Sequence, residues 1–163
     1  MKNIKKIQNW LIDNKKDVFL INRTDEFLGE YIAPYAERLN WISNFSGSAG
    51  RAIIEIDNGY IFIDGRYTNQ VSKEVDSNLF TTQHFEEYWK YLEKYKNKNV
   101  KLSLDPKLHS IKEIEKLKKI YKNTNVTISL LNNNPIDSFW NDQPAYPNST
   151  AFLQEEKYAG ESS

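Results

Sequence analysis

Cysteine is absent from the 163-residue sequence, so disulfide bonds and thiolate metal sites are excluded. The sequence also lacks any run of about 18 apolar residues, the length that a membrane-spanning helix needs. Residues 1–14 are basic, but they have no apolar stretch long enough for a secretory signal peptide. We therefore expect no membrane partner and, by default, a cytoplasmic location.

The chain also has no net charge, because its 22 basic residues balance its 22 acidic residues. A protein that binds nucleic acid needs an excess of basic residues on one surface, so we expect no nucleic-acid partner. Hydrophobic residues make up 39% of the chain and aromatic residues 13%. This composition and length fit one domain with a proper core.

No complete catalytic motif is present. His84 and His109 are the only histidines, and neither belongs to an HExxH motif or a His-x-His pair. Ser46 and Ser48 lack the GxSxG context of a nucleophile elbow. The chain therefore has the character of a supporting domain rather than of an enzyme in itself.

An acidic cluster follows the first predicted strand and contains Asp25, Glu26 and Glu30. These carboxylates have the chemistry of metal ligands or of an acid/base pair. Carboxylates in a polar loop are more often simply solvated, and no histidine lies nearby in the sequence. Solvation is the favoured interpretation.

Periodicity predicts helices and strands in alternation. Apolar residues at three-to-four spacing predict helices over 3–14, 36–43, 66–75 and 84–95, and a fifth helix that begins after Ser110. Short apolar or β-branched runs predict strands over 18–21, 52–56, 60–63, 79–82, 100–104 and 126–131.

Two local signals sharpen this pattern. Asn58-Gly59 between two strands is typical of a hairpin turn, in which these residues supply positive φ. Ser110 and Glu113 have the spacing of a capping box. The predicted core face of the helix that follows is Ile111, Ile114, Leu117 and Tyr121.

The fold class that these elements indicate is α/β, with a mixed β-sheet flanked by helices. Residues 1–140 form the predicted domain. Residues 141–163 lose all periodicity and include Pro and Ser, so we interpret them as the start of a linker to a following domain.

Two Gly-centred turns occupy the most constrained part of the chain. The turn Ser46-Gly47-Ser48-Ala49-Gly50 resembles a phosphate-binding loop only in its glycines, because no Lys-Ser/Thr follows and the chain continues into a strand. A tight turn is the favoured interpretation. The turn Asp64-Gly65-Arg66-Tyr67 follows the end of a predicted strand.

Arg66 is the strongest candidate for a binding residue. Ligand-contacting groups in α/β domains tend to lie at the carboxyl ends of strands, and an Arg there offers a bidentate fork to a carboxylate or a peptide carbonyl. An ion pair with Asp64 inside the domain is an equally good explanation, and the sequence leaves both open.

At these turns the sequence resembles aminopeptidase P, the Xaa-Pro aminopeptidase group related to prolidase and creatinase. Four segments, in the family's order, carry the resemblance: Asp25-Glu26 with Gly29-Glu30-Tyr31-Ile32-Ala33-Pro34 and Glu37-Arg38; Phe45-Ser46-Gly47-Ser48-Ala49-Gly50; Asp64-Gly65-Arg66-Tyr67 with Gln70-Val71; and Ile136-Asp137, Trp140 and Asp142-Gln143-Pro144. Phe27 stands where the family commonly has His.

The resemblance implies a creatinase/prolidase N-terminal-type domain that holds no metal. In that family two divalent metals, typically manganese, are bound by a later catalytic domain, and the enzyme removes an N-terminal residue that precedes proline. It further implies a homodimer, a peptide substrate with proline in second position, and a substrate contact by Arg66 with support from Asp64 and Tyr67.

Two hypotheses follow. The first is a noncatalytic N-terminal domain of an Xaa-Pro aminopeptidase that shapes the substrate cleft and the assembly and is inactive by itself. The alternative is a free-standing α/β binding or oligomerisation module with no enzymatic activity. An independent small-molecule enzyme carries little weight, because an acid/base pair is missing.

Overall fold

A computed structural model describes residues 2–161 of the chain. Residues 1, 162 and 163, which the predicted domain and linker include, lie outside this description. The strands are β1 Val18–Asn22, β2 Gly50–Glu55, β3 Gly59–Ile63, β4 Phe80–His84, β5 Lys101–Leu104 and β6 Thr127–Leu130. The helices are α1 Asn3–Asp13, α2 Arg38–Ser43, α3 Thr68–Glu74, α4 Glu87–Glu93, α5 Ile111–Ile120, α6 Pro135–Phe139 and α7 Glu156–Ala159.

The six strands form one mixed sheet in the order β4-β3-β2-β1-β5-β6. β2 pairs antiparallel with both β1 and β3, whereas the β1–β5, β5–β6 and β3–β4 pairs are parallel. Five strands therefore run in one direction, and β2 runs against them. Their carboxyl ends lie at one edge of the sheet, which we call the carboxyl edge.

Both faces of the sheet are covered, because side chains of a strand point alternately to its two sides. In β1, Phe19 and Ile21 pack with α1, α2, α3 and α6, while Val18 and Leu20 pack with α4 and α5. Every residue of β1 is buried, as expected for a central strand covered on both sides. The predicted mixed sheet flanked by helices is confirmed.

The predicted hairpin is present, but the prediction that Asn58 and Gly59 form its turn is wrong. Glu55 donates its backbone N–H to the carbonyl of Asn58 at 2.8 Å, so Ile56 and Asp57 are the central residues of the loop. Neither Asn58 nor Gly59 has positive φ. Gly59 is instead a strand residue that allows close packing, because an added Cβ would lie 2.6 Å from Ile4 Cδ1.

Two further predictions are wrong. His84 does not begin a helix, because it is the last residue of β4 and pairs with Ile63. Ile111 does not belong to the core face of α5, because its side chain is exposed, whereas Leu117 and Tyr121 are buried. The Ser110–Glu113 capping box is present as predicted.

The chain beyond α6 is in contact with the domain over a short distance. Gln143 Nε2 donates to the carbonyl of Tyr35 at 2.9 Å and to Asp137 Oδ1 at 3.0 Å, and the Tyr35 and Tyr146 rings lie 4.8 Å apart. Past these contacts, residues 147–161 are exposed. The domain limit at residue 140 stays a prediction.

Candidate functional site

The turn that carries Arg66 lies at the carboxyl edge. Gly65–Tyr67 forms a 3₁₀ turn directly after β3, and Asp64 caps it by accepting the backbone N–H of Arg66 at 3.0 Å. The same carboxylate accepts Arg66 Nε at 2.9 Å. The Arg66 side chain is nevertheless 73% exposed, so the ion pair orients the guanidinium without burying it.

Asp64 and Arg66 each stabilise the ionised form of the other. The hydrogen bond and charge of Asp64 raise the pKa of Arg66, and the nearby Glu30 adds to the effect. In the other direction, the hydrogen bonds from Arg66 lower the pKa of Asp64. Asp64 and Arg66 are therefore both ionised at neutral pH, and the face of the guanidinium that Asp64 does not use remains open to solvent.

The Gly-centred turn at residues 46–50 packs against the Arg66 turn. Ser48 Oγ and Tyr67 Oη are 2.6 Å apart, and this hydrogen bond lowers the pKa of Tyr67. Phe45 meets the Tyr67 ring edge-on at 5.6 Å. A Cβ on Gly47 would lie 2.3 Å from Phe45, so glycine is needed for this close approach. The segment leads into β2, as the tight-turn interpretation predicts.

Ser46 has a structural role in the same loop. Glu74 in α3 accepts both the backbone N–H and the hydroxyl of Ser46 at 2.8 Å, and Gln70 Nε2 donates to Ser46 Oγ at 2.8 Å. The two bonds from Ser46, together with one from Gln70 Nε2 to Glu74 at 3.0 Å, lower the pKa of Glu74. The loop is therefore attached to α3 on one side and to Tyr67 on the other.

Arg23, which sequence reasoning missed, connects three segments at this edge. Its Nη1 donates to the carbonyls of Glu30 at 3.1 Å and Ser48 at 3.2 Å, and its Nη2 pairs with Glu37 at 2.7 Å. Only its place after a buried strand gave a signal in the sequence. Arg23 holds the loop after β1, which we define as residues 23–35, beside the Arg66 turn.

The acidic cluster is dispersed within this loop rather than gathered into one site. Asp25 is buried and accepts the backbone N–H groups of Phe27 and Gly29 at 3.1 and 2.9 Å. Solvation was therefore the wrong interpretation of Asp25. Glu26 instead accepts the Tyr35 hydroxyl at 2.7 Å. Burial, followed by this hydrogen bond, raises the pKa of Tyr35.

Apolar side chains of the same loop point to solvent. Phe27 is 73% exposed and Tyr31 88%, and Leu28 is exposed as well. Leu28 also has positive φ, which is uncommon for a residue with a branched side chain. The capping bonds of Asp25 hold the loop in this conformation. It therefore presents a fixed apolar surface.

A cavity of about 610 Å³ opens at the carboxyl edge, beyond the ends of β1, β5 and β6. Its walls include Glu26, Tyr35, Arg38, Asp105, Lys107 and Asn134. Arg38 is buried and forms a bidentate pair with Asp137, at 2.7 and 2.9 Å. The third nitrogen of its guanidinium, Nη1, is buried without a hydrogen-bond partner among the described residues.

His109 lies below the surface near this cavity. Its Nδ1 is 2.9 Å from the carbonyl of Asp105, and burial lowers its pKa. Arg51 pairs with Glu113 and lies over the rings of Phe85 and Tyr88. These contacts fasten the start of α5 to the sheet and take no visible part in a binding surface.

Within residues 2–161, no three His, Asp or Glu side chains come together in a way that would hold a metal ion. None of the helices described there is both long and apolar enough to cross a membrane. The residues that the structure does bring together are those of the two Gly-centred turns, the loop after β1 and the cavity.

A mixed six-stranded sheet with helices on both faces is the architecture of a creatinase/prolidase N-terminal-type domain. The family model described as "Creatinase/Prolidase N-terminal domain" matches residues 3–132. The chain therefore belongs to the creatinase/prolidase N-terminal domain family, as the resemblance indicated.

Curated relatives carry the name Xaa-Pro aminopeptidase P. The chain is 30% identical over 164 aligned residues to "Probable Xaa-Pro aminopeptidase P" of Aspergillus flavus, with 98% of this chain and 25% of the relative covered. It is 32% identical to the protein of the same name from Penicillium rubens, with 96% and 26% covered. The chain thus spans about a quarter of the length of these relatives.

Solved structures share the fold. An X-prolyl aminopeptidase from Caenorhabditis elegans, described as a cytosolic enzyme with a di-nuclear active site, superimposes with a TM-score of 0.80 at 23% identity, over 88% of this chain and 26% of that one. The N-terminal domain of the peptidase PepQ from Mycobacterium tuberculosis gives a TM-score of 0.63 at 17% identity, over 83% and 96%.

Proposed function

We propose that this chain is the noncatalytic N-terminal domain of an Xaa-Pro aminopeptidase, a hydrolase that releases an N-terminal residue preceding proline. Its task is to shape the substrate cleft and the assembly of the enzyme. The observation that carries the proposal is the Arg66 turn. A guanidinium oriented by Asp64 and left open to solvent is suited to contact a ligand that a neighbouring domain holds.

The length of the relatives supports this division of labour, because three quarters of each lies outside the match. In the proposed enzyme, two divalent metals, manganese in our proposal, are bound by a separate catalytic domain. Metals held there would supply a nucleophile for the peptide carbonyl, whereas the role proposed for this chain is to position the peptide through Arg66. We propose a cytoplasmic homodimer, in line with the description of the Caenorhabditis elegans enzyme as cytosolic.

Arg66 is the proposed substrate contact, because its free N–H groups match a peptide carbonyl or a carboxylate. Asp64 and Tyr67 are positioning residues: Asp64 fixes the guanidinium, and Tyr67 joins this turn to Ser48. The ion pair with Asp64 and the substrate contact are compatible, since one carboxylate uses only part of the five-donor fork.

The experiment that tests Arg66 uses the full-length enzyme and an Xaa-Pro peptide. Arg66→Ala is expected to lower kcat/KM roughly 10- to 100-fold, because a charge-assisted hydrogen bond to substrate is lost. Arg66→Lys keeps the charge but loses the fork, and it should recover only part of the activity. Lys73→Ala, an exposed change in nearby α3, is the matched control and should leave kcat/KM unchanged.

A second measurement tests the noncatalytic role. The purified 163-residue chain, with and without Mn²⁺, is expected to leave an Xaa-Pro peptide intact. Hydrolysis that persists after further purification would overturn the proposal. Wild-type kinetics in Arg66→Ala would instead remove Arg66 from the substrate contact.

A further inference from the structure

The Arg66 turn and the cavity belong to one continuous surface along the carboxyl edge. The loop after β1 joins them. At one end of this loop, Glu26 and Tyr35 line the cavity. At its other end, Glu30 lies beside Arg66. Arg23 holds Glu30 in this position, because its Nη1 donates to the backbone carbonyls of both Glu30 and Ser48.

The dimensions of this surface match an extended peptide. The Arg66 turn follows β3 and the cavity lies over β1, β5 and β6, so about three strand spacings, or about 14 Å, separate Arg66 from the position of β5. An extended chain advances about 3.3 Å per residue, so about four residues cover this distance. The exposed side chains of Phe27, Leu28 and Tyr31 lie on the loop between the two points.

The cavity has the chemistry to receive peptide groups. Lys107 offers an exposed ammonium in the cavity wall, so a donor for a carbonyl or carboxylate is present. Arg38, in the same wall, has a buried Nη1 without a partner among the described residues. In the same wall, Asn134 Nδ2 donates to Asp105 at 3.1 Å, and this buried pair fixes the shape of the cavity. Its volume of about 610 Å³ lies within the range of ligand-binding pockets.

We propose that this edge is an extended peptide-binding surface that runs from Arg66, past Phe27 and Tyr31, to the cavity containing Lys107. The inference rests on the proposed function and deepens it by naming the substrate class. Peptides that continue about four residues beyond the one contacting Arg66 reach the cavity, whereas tripeptides do not. The domain thus favours longer peptides over short ones.

The test measures kcat/KM of the full-length enzyme for Xaa-Pro peptides of three to nine residues with a constant N-terminal sequence. We expect a rise of roughly ten-fold once the peptide reaches the cavity, the gain from one charge-assisted contact and apolar burial. Lys107→Ala should abolish the rise for long peptides and leave tripeptide hydrolysis unchanged. Tyr31→Ala should reduce the rise. Lys98→Ala, an exposed change at the opposite edge before β5, is the control.

A binding experiment on the 163-residue chain is independent of catalysis. In a ¹⁵N NMR titration, a nine-residue peptide should shift the amide signals of Arg66, Tyr31 and Lys107, and a tripeptide should leave Lys107 unshifted. The proposal of an extended surface is overturned if kcat/KM does not change with peptide length. It is also overturned if Lys107→Ala lowers kcat/KM equally for short and long peptides. These outcomes are separate from the Arg66→Ala result, which alone decides the contact at the Arg66 turn.

Discussion

His109 illustrates how burial, rather than catalysis, sets the state of a titratable residue. Its pKa lies below the ordinary 6.5, first because burial disfavours the charged ring and also because Arg51 repels it. Hydrogen bonding to the Asp105 carbonyl and the charges of Glu113 and Asp105 oppose the shift. The neutral ring with a proton on Nδ1 donates to that carbonyl, so His109 is a structural residue.

This gives a pH-dependent prediction. The unfolded chain takes up a proton at His109 at higher pH than the folded chain does, so the free energy of unfolding should fall as the pH drops from about 6.5 toward the lower folded-state pKa. Urea titrations at pH 7 and pH 5 should show a smaller decrease for His109→Gln than for the wild type. His84→Gln, at an exposed site, should keep the wild-type decrease. Equal decreases in all three proteins would contradict the prediction.

Residue pairs differ in how far a sequence reveals them. The Asp64–Arg66 contact spans two positions and was foreseen as one of two interpretations, because local spacing places the groups together. Arg38 and Asp137 lie 99 positions apart, and only the folded sheet brings them into contact. The same holds for the contacts of Arg23. The two turns could therefore be predicted as a candidate site, whereas the cavity and the contacts of Arg23 could not.

At the scale of elements, most helices and strands could be predicted because periodicity and capping are local. One of the wrong predictions, that Ile111 belongs to the core face, has a simple cause. Ile111 is the first residue of α5, and the helix is buried against the sheet only farther along, at Leu117. Helical spacing gives the direction of a side chain but not the point at which the helix reaches its partner.

Gly59 gives a prediction about packing between elements. In Gly59→Ala the new methyl group would lie 2.6 Å from Ile4 Cδ1 in α1 and 2.9 Å from the backbone carbonyl of Leu79. We expect a loss of about 1–3 kcal/mol in the free energy of unfolding, since the backbone of Leu79 cannot rotate away. Gly65→Ala is the matched control, because an added Cβ there meets nothing within 4 Å.

Denaturant unfolding of the two alanine variants provides the measurement. Gly65→Ala should stay within about 0.5 kcal/mol of the wild type. If Gly59→Ala is as stable as Gly65→Ala, the close contact between β3 and α1 is not the reason for the glycine.

At the scale of the whole molecule, one sheet separates two apolar clusters. One cluster contains the buried side chains of α1, α2, α3 and α6, and the other contains those of α4 and α5. β1 contributes alternate residues to both clusters, so the two helix layers pack on opposite faces of the same strands. The domain is therefore expected to unfold as one cooperative unit, although its helices are divided between two faces.

Substitutions on the two faces test this coupling. Leu11→Ala in α1 and Leu117→Ala in α5 each remove a buried side chain, and each should lower the free energy of unfolding by about 2–4 kcal/mol. Tryptophan fluorescence should report mainly on the first cluster, against which Trp10, Trp41 and Trp140 pack, whereas far-UV circular dichroism reports on all helices. The two signals should remain superimposed in both variants.

Ile111→Ala, at an exposed residue of α5, should change stability little. Separate transitions in Leu117→Ala would show that α4 and α5 unfold independently of the shared sheet.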